Sequence, residues 1–118
     1  LRTLRARERI PEVRPGNARF DGIFGLPTLA EILDLRDSLS RELGRTVGVY
    51  PELKSPGAFR SRGLDPEGAL VRELAGRGLT SRESPVIVQS FEAESLARLR
   101  PRIGIRLAQL LPTTGDPE

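Results

Sequence analysis

The 118 residues predict an α/β fold built on a parallel sheet. From residue 28 onward helical and extended patterns alternate: helix, strand, helix, strand, helix, strand. Such alternation feeds parallel strands through helical crossovers. The strand candidates are nearly apolar, as strands covered on both faces are. Each helix candidate in this stretch opens on a capping signal or closes on glycine or proline. A doubly wound sheet and a (β/α)₈ barrel both satisfy this order.

The elements follow in chain order. Residues 1–9, "LRTLRARER", predict a short helix with Leu1 and Leu4 on one face. "IPEVRPGNARFDGIFGLP" carries three prolines and three glycines, which predicts an extended, mostly irregular connection. "TLAE" at 28–31 has the form of a capping box, Thr28 and Glu31 each satisfying the other's N–H. Ile32, Leu35, Leu39 and Leu43 then recur at helical spacing, with Leu29 and Leu33 widening the stripe. Gly44 is the expected stop. "RTVGVYPELK" predicts a strand and "SPGAFRSRG" a loop. Asp65 and Pro66 form an N-cap and first-turn pair. Leu70, Val71 and Leu74 are the expected buried face of that helix, and Gly78 its end. "SPVIVQSF" is a short apolar strand, "EAESLARLR" a helix stopped by Pro101, "IGIRLAQLL" a third strand and "PTTGDPE" a tail.

Composition excludes several chemistries. Apolar residues make up 37% and charged residues 30%, the balance of a globular chain rather than a disordered one. No apolar run reaches the roughly 18 residues of a membrane span. The net charge is +3, but 16 acidic residues interleave with the basic ones and aromatics are few. Nucleic-acid binding is therefore not expected. Cysteine and histidine are both absent. That removes disulfides, thiolate nucleophiles, Ser-His-Asp triads and any imidazole base from this chain. Chemistry located here rests on carboxylates, lysine, arginine or backbone groups.

The segment "VGVYPELKSPG" stands out because Lys54 is the only lysine among 19 basic residues. Side chains alternate along a strand. Val47, Val49, Pro51 and Leu53 fall on one face, and Gly48, Tyr50, Glu52 and Lys54 on the other. The second face becomes charged at its C-terminal end, where parallel α/β folds place their sites. The Cα atoms of Glu52 and Lys54 should lie roughly 6.6 Å apart, close enough to serve one bound group. A carboxylate is a hard ligand for Mg²⁺ or Ca²⁺, and an ammonium is a compact charge for a phosphate oxygen. A structural ion pair between the two is the competing reading. In the later strands Ile87, Gln89 and Phe91 share one face, and Ile105, Leu107, Gln109 and Leu111 another. Gln89 and Gln109 thus hint at a common pocket, against ordinary satisfied glutamines.

The segments "LPTLAEILDL", "GVYPELKSPGAF", "GLDPEGALVREL" and "VIVQSFEAESLARLR" together resemble glycerophosphodiester phosphodiesterases. The periplasmic or secreted bacterial branch, with its Y-P-E-[IL]-K segment, is the most similar. The resemblance implies a (β/α)₈ barrel of roughly twice this length. Residues 1–118 would be its central part, supplying the fourth to sixth strands with their helices. It implies metal-dependent hydrolysis of a glycerophosphodiester to glycerol 3-phosphate and an alcohol, with Ca²⁺ or Mg²⁺ as cofactor. Glu52 matches the family's metal-ligand glutamate and Lys54 its phosphate-contacting lysine. Phe91 matches a position near the substrate, and Gln89 would line the same pocket. The family's H-R-G segment, E-x-D metal pair and second catalytic histidine have no counterpart in these residues. No catalytic residue is therefore assigned within the chain, and the chain alone is expected to be inactive. A non-catalytic α/β binding or structural domain on the same scaffold is the alternative.

Overall fold

A computed structural model describes residues 2–112. The chain divides between Ile32 and Leu33 into two compact units.

The first unit has no helix over residues 2–9, and Leu1 lies outside the described residues. Leu4 is exposed rather than packed, and Arg5 bridges Gly25 in antiparallel fashion. The Ala6 N–H donates to Phe24 O at 2.7 Å, and Gly22 N–H donates to Ala6 O at 3.0 Å. Two leucines make too narrow a stripe to hold a nine-residue helix against such pairing. The stretch expected to be irregular contains a 3-10 helix, Pro15–Phe20, whose proline-led start suits a tight turn. Polar contacts organise this unit. Glu8 accepts from Ile10 N–H at 2.9 Å and Asn17 Nδ2 at 2.8 Å, and Arg14 Nη2 lies 2.9 Å away. These donors, led by the Ile10 N–H, hold the Glu8 carboxyl below its ordinary pKa.

Helix α1 (Leu29–Glu42) runs across the division. Its capping box forms: Glu31 N–H donates to Thr28 Oγ1 at 3.2 Å, and Thr28 N–H to Glu31 Oε2 at 2.7 Å. Gly44, with φ +61°, takes the left-handed conformation just past its end. Only part of the expected apolar stripe is covered, with Leu29 and Leu39 half-buried. Leu33 is fully buried, whereas Ile32, Leu35 and Leu43 are exposed. The face carrying Leu33 also carries Arg36 and Ser40. Arg36 Nε donates to Val47 O at 2.7 Å and Ser40 Oγ accepts from Val47 N–H at 3.0 Å. Two polar side chains thus fix where the next segment begins.

The second unit holds the core. β1 (Ile87–Ser90) and β2 (Arg106–Gln109) pair in parallel, with Val88 beside Leu107 and Ser90 beside Gln109. Segment 49–53 runs parallel along the other side of β1. Val49 N–H donates to Pro85 O at 2.9 Å, Ile87 N–H to Val49 O at 3.1 Å, Gln89 N–H to Pro51 O at 3.0 Å and Leu53 N–H to Gln89 O at 2.9 Å. The rung that residue 51 would donate is missing, because proline has no N–H. The strand expected over 45–54 is therefore two bridges, Val49 with Val86 and Glu52 with Gln89, rather than a regular strand. Its in–out alternation survives. Val47, Val49, Pro51 and Leu53 are half-buried, and Gly48, Tyr50, Glu52 and Lys54 are exposed.

Helices α2 (Pro56–Arg60), α3 (Pro66–Ala75) and α4 (Ala93–Leu99) fill the connections. The expected loop after Lys54 contains α2, which proline starts and which is too short to show a periodicity. α3 is capped by Asp65, whose Oδ1 accepts from Gly68 N–H at 2.8 Å. A Cβ on Gly68 would come within 2.0 Å of Asp65 Oδ2, so a larger residue there would push the capping side chain from its present position. Leu70 and Leu74 of α3, Leu99 of α4, Val86, Val88, Ile103 and Ile105 are all buried and make up the core of this unit. Mixed helix and strand with parallel pairing through this unit is an α/β arrangement.

Candidate functional site

The sheet places the C-terminal ends of segment 49–53, β1 and β2 side by side. Segment 49–53 leads into Lys54, β1 ends at Ser90 just before Phe91, and β2 ends at Gln109, shortly before Pro112. Between them lies an open depression of about 280 Å³ lined by Glu52, Leu53, Lys54, Ser55, Phe91, Glu92 and Pro112. It sits at the C-terminal ends of parallel strands, where side chains from neighbouring strands can converge on one ligand.

Glu52, Lys54 and Phe91 are thus brought together. Gln89 is the parallel partner of Glu52, beside the depression rather than in its lining. Among the described residues, Glu52 and Lys54 form no ion pair with each other or with any other group. The structural ion pair that E-x-K spacing allowed is not formed, and both charged ends face solvent. The pocket shared by the two glutamines is also not formed. The register sets Gln89 beside Ala108 and Gln109 beside Ser90, so the two point to opposite faces. Gln109 Nε2 instead donates to Phe91 O at 2.7 Å and Leu110 O at 3.0 Å.

The turn after Lys54 is held in a costly conformation. Ser55 has φ +49° and ψ +47°, the left-handed region that side chains other than glycine rarely adopt. The residues around it are tied down. Ser90 Oγ donates to Leu53 O at 2.8 Å, and Glu92 Oε2 accepts from Gly57 N–H at 2.8 Å. Arg60 of α2 pairs with the buried Glu67, whose Oε1 also accepts from Ser95 Oγ at 2.8 Å. Sequence reasoning missed Glu92. Its position before α4 reads as an N-cap, yet its side chain makes no cap hydrogen bond and crosses to Gly57 instead.

The described residues do not assemble a divalent-cation site. No group of three or more acidic, histidine or cysteine side chains converges among them. Glu52 presents one carboxylate where Ca²⁺ takes six to eight oxygens. Glu92 already serves Gly57 and lies 3.7 Å from Arg60. A second depression, of about 220 Å³, lies in the first unit, but its charged residues Arg7, Glu8 and Asp21 are engaged with one another's neighbours and backbone. No helix among the described residues is long and apolar enough to cross a membrane.

No family model matches the chain. It is 27% identical over 97 residues to a glycerophosphodiester phosphodiesterase of Haemophilus influenzae, covering 77% of this chain and 27% of that protein. It is 29% identical over 93 residues to a glycerophosphodiester phosphodiesterase of Treponema pallidum, covering 79% of this chain and 24% of that protein. The chain is similar to glycerophosphodiester phosphodiesterases. It spans about a quarter of the length of these curated relatives.

Proposed function

We propose that this chain is the central part of a metal-dependent glycerophosphodiester phosphodiesterase with a (β/α)₈ barrel, active in the periplasm or outside the cell. The observation that carries the reading is the unpaired Glu52 carboxylate and Lys54 ammonium in one depression with Phe91, at the C-terminal ends of parallel strands. The names of the two relatives support the substrate class. In this reading Glu52 supplies one oxygen ligand to Ca²⁺ or Mg²⁺, completed by carboxylates outside these 118 residues. Lys54 neutralises charge on the phosphodiester as it reacts. Phe91 and Gln89 bound the substrate's position. Proton transfer falls to groups outside the chain, because it contains no histidine.

Hydrolysis of a glycerophosphodiester by the intact protein tests this, with released glycerol 3-phosphate measured against added Ca²⁺ or Mg²⁺. Lys54→Ala should lower kcat by roughly a hundredfold. Glu52→Ala should raise the metal concentration needed for half-maximal rate. The 118-residue chain alone should release none. Unchanged kinetics in both variants would remove Glu52 and Lys54 from the site. The lack of histidine favours one other reading, a non-catalytic binding or structural domain on the same scaffold. An intact protein that binds a glycerophosphodiester without hydrolysing it would establish that instead.

A further inference from the structure

We propose that Ser90 and Glu92 clamp the Lys54–Ser55 turn from both sides and so set where the Lys54 ammonium stands relative to Glu52. The proposal rests on the site reading above. The turn has a left-handed Ser55 at its centre, a conformation that persists only where the surroundings enforce it. The enforcing groups come from the chain reversal after β1. Ser90 is fully buried; its Oγ donates to Leu53 O at 2.8 Å, immediately before Lys54, and accepts from Glu92 N–H at 3.1 Å. Glu92 Oε2 accepts from Gly57 N–H at 2.8 Å, three residues after Lys54. One short reversal, 90–92, therefore grips the turn at both ends and also presents Phe91 to the same depression. Gly57 is matched to this arrangement, since a Cβ there would stand 2.8 Å from Glu92 Oε2. Ser90 and Glu92 are positioning residues: they act on substrate through Lys54.

The test combines amide hydrogen exchange at Gly57 with kinetics, in the intact protein carrying Ser90→Ala, Glu92→Ala, Glu92→Gln or Gly57→Ala. Glu92→Ala should speed exchange of the Gly57 amide, and Gly57→Ala exchange of the backbone amide at that same position, by about tenfold or more. Both should lower kcat by about tenfold or more, with a smaller change in KM. Glu92→Gln keeps an oxygen for Gly57 and should recover most of both losses. On a Lys54→Ala background, Glu92→Ala and Ser90→Ala should cost little further activity, because their effect passes through Lys54. Unchanged Gly57 exchange in Glu92→Ala overturns the clamp. Faster exchange with unchanged kcat overturns its positioning role, as does full additivity with Lys54→Ala. A parent protein that hydrolyses no glycerophosphodiester overturns the site reading instead, while the exchange measurement still decides whether the clamp exists.

Discussion

Arg60 shows how much one side chain organises around the site. It is 17% exposed and pairs with Glu67, whose side chain is fully buried; its other terminal nitrogen lies 3.2 Å from Glu94 and 3.7 Å from Glu92. Glu67 Oε2 is buried and has no hydrogen-bond partner among the described residues. Removing the arginine leaves a buried carboxylate with one hydroxyl for company. Arg60→Ala should therefore cost roughly 3 kcal/mol of unfolding free energy, the lower end for a broken buried pair because Arg60 keeps some contact with water. Replacing both partners with apolar residues, Arg60→Met with Glu67→Leu, should recover most of that loss. Chemical denaturation of the two variants decides: equal losses would mean that the cost is packing, not an orphaned charge.

At the level of the element, helix α3 depends on a single exposed cap. The Gly68 N–H, and then Arg102 at 3.5 Å, hold the Asp65 carboxyl below its ordinary pKa. Folding thus favours the ionised form. The contribution is complete above the unfolded value, about pH 3.9, and is lost as pH falls through the lower folded value. Asp65→Asn keeps a capping oxygen but cannot titrate. The parent's melting temperature should exceed that of Asp65→Asn near neutrality, and the gap should close in acid. A gap independent of pH between about pH 2 and pH 6 would show that the charge is irrelevant. The capping box of α1 behaves alike, since the Thr28 N–H and hydroxyl lower the Glu31 carboxyl in the same way.

Across the molecule, the second unit is a piece of parallel sheet with β1 in the middle. Among the described residues, neither the outer side of segment 49–53 nor that of β2 carries a further strand. Unpaired strand edges are templates for association. The purified 118-residue chain should therefore self-associate as its concentration rises, read by sedimentation velocity or light scattering. A monodisperse monomer across that range would show that the edges are protected within the chain.

Legibility differed among these elements for physical reasons. The capping box at Thr28–Glu31, the Asp65–Pro66 helix start and the Gly44 and Gly78 stops act within a few residues, so local chemistry suffices to read them. The alternation that sets Glu52 and Lys54 on one exposed face is equally local. Other features depend on distant partners. Within the apolar stripe of α1, Leu33, on the face from which Arg36 and Ser40 bind Val47, is buried while Ile32, Leu35 and Leu43 are exposed. Arg5 and Ala6 pair with Gly22, Phe24 and Gly25, and residues 2–9 do not coil. Pro51 interrupts the strand expected over 45–54, and only the ladder shows which rung it removes. The separation of Gln89 from Gln109 is a matter of register, which no single strand contains. Residues 113–118, most of the expected tail, lie outside the described residues. The identity of the charged pair could be read from eleven consecutive residues. That the pair is unpaired, lies beside Phe91 and is held by Ser90 and Glu92 follows only from bringing residues 52–57 and 89–92 together, contacts across more than thirty positions that no local pattern encodes.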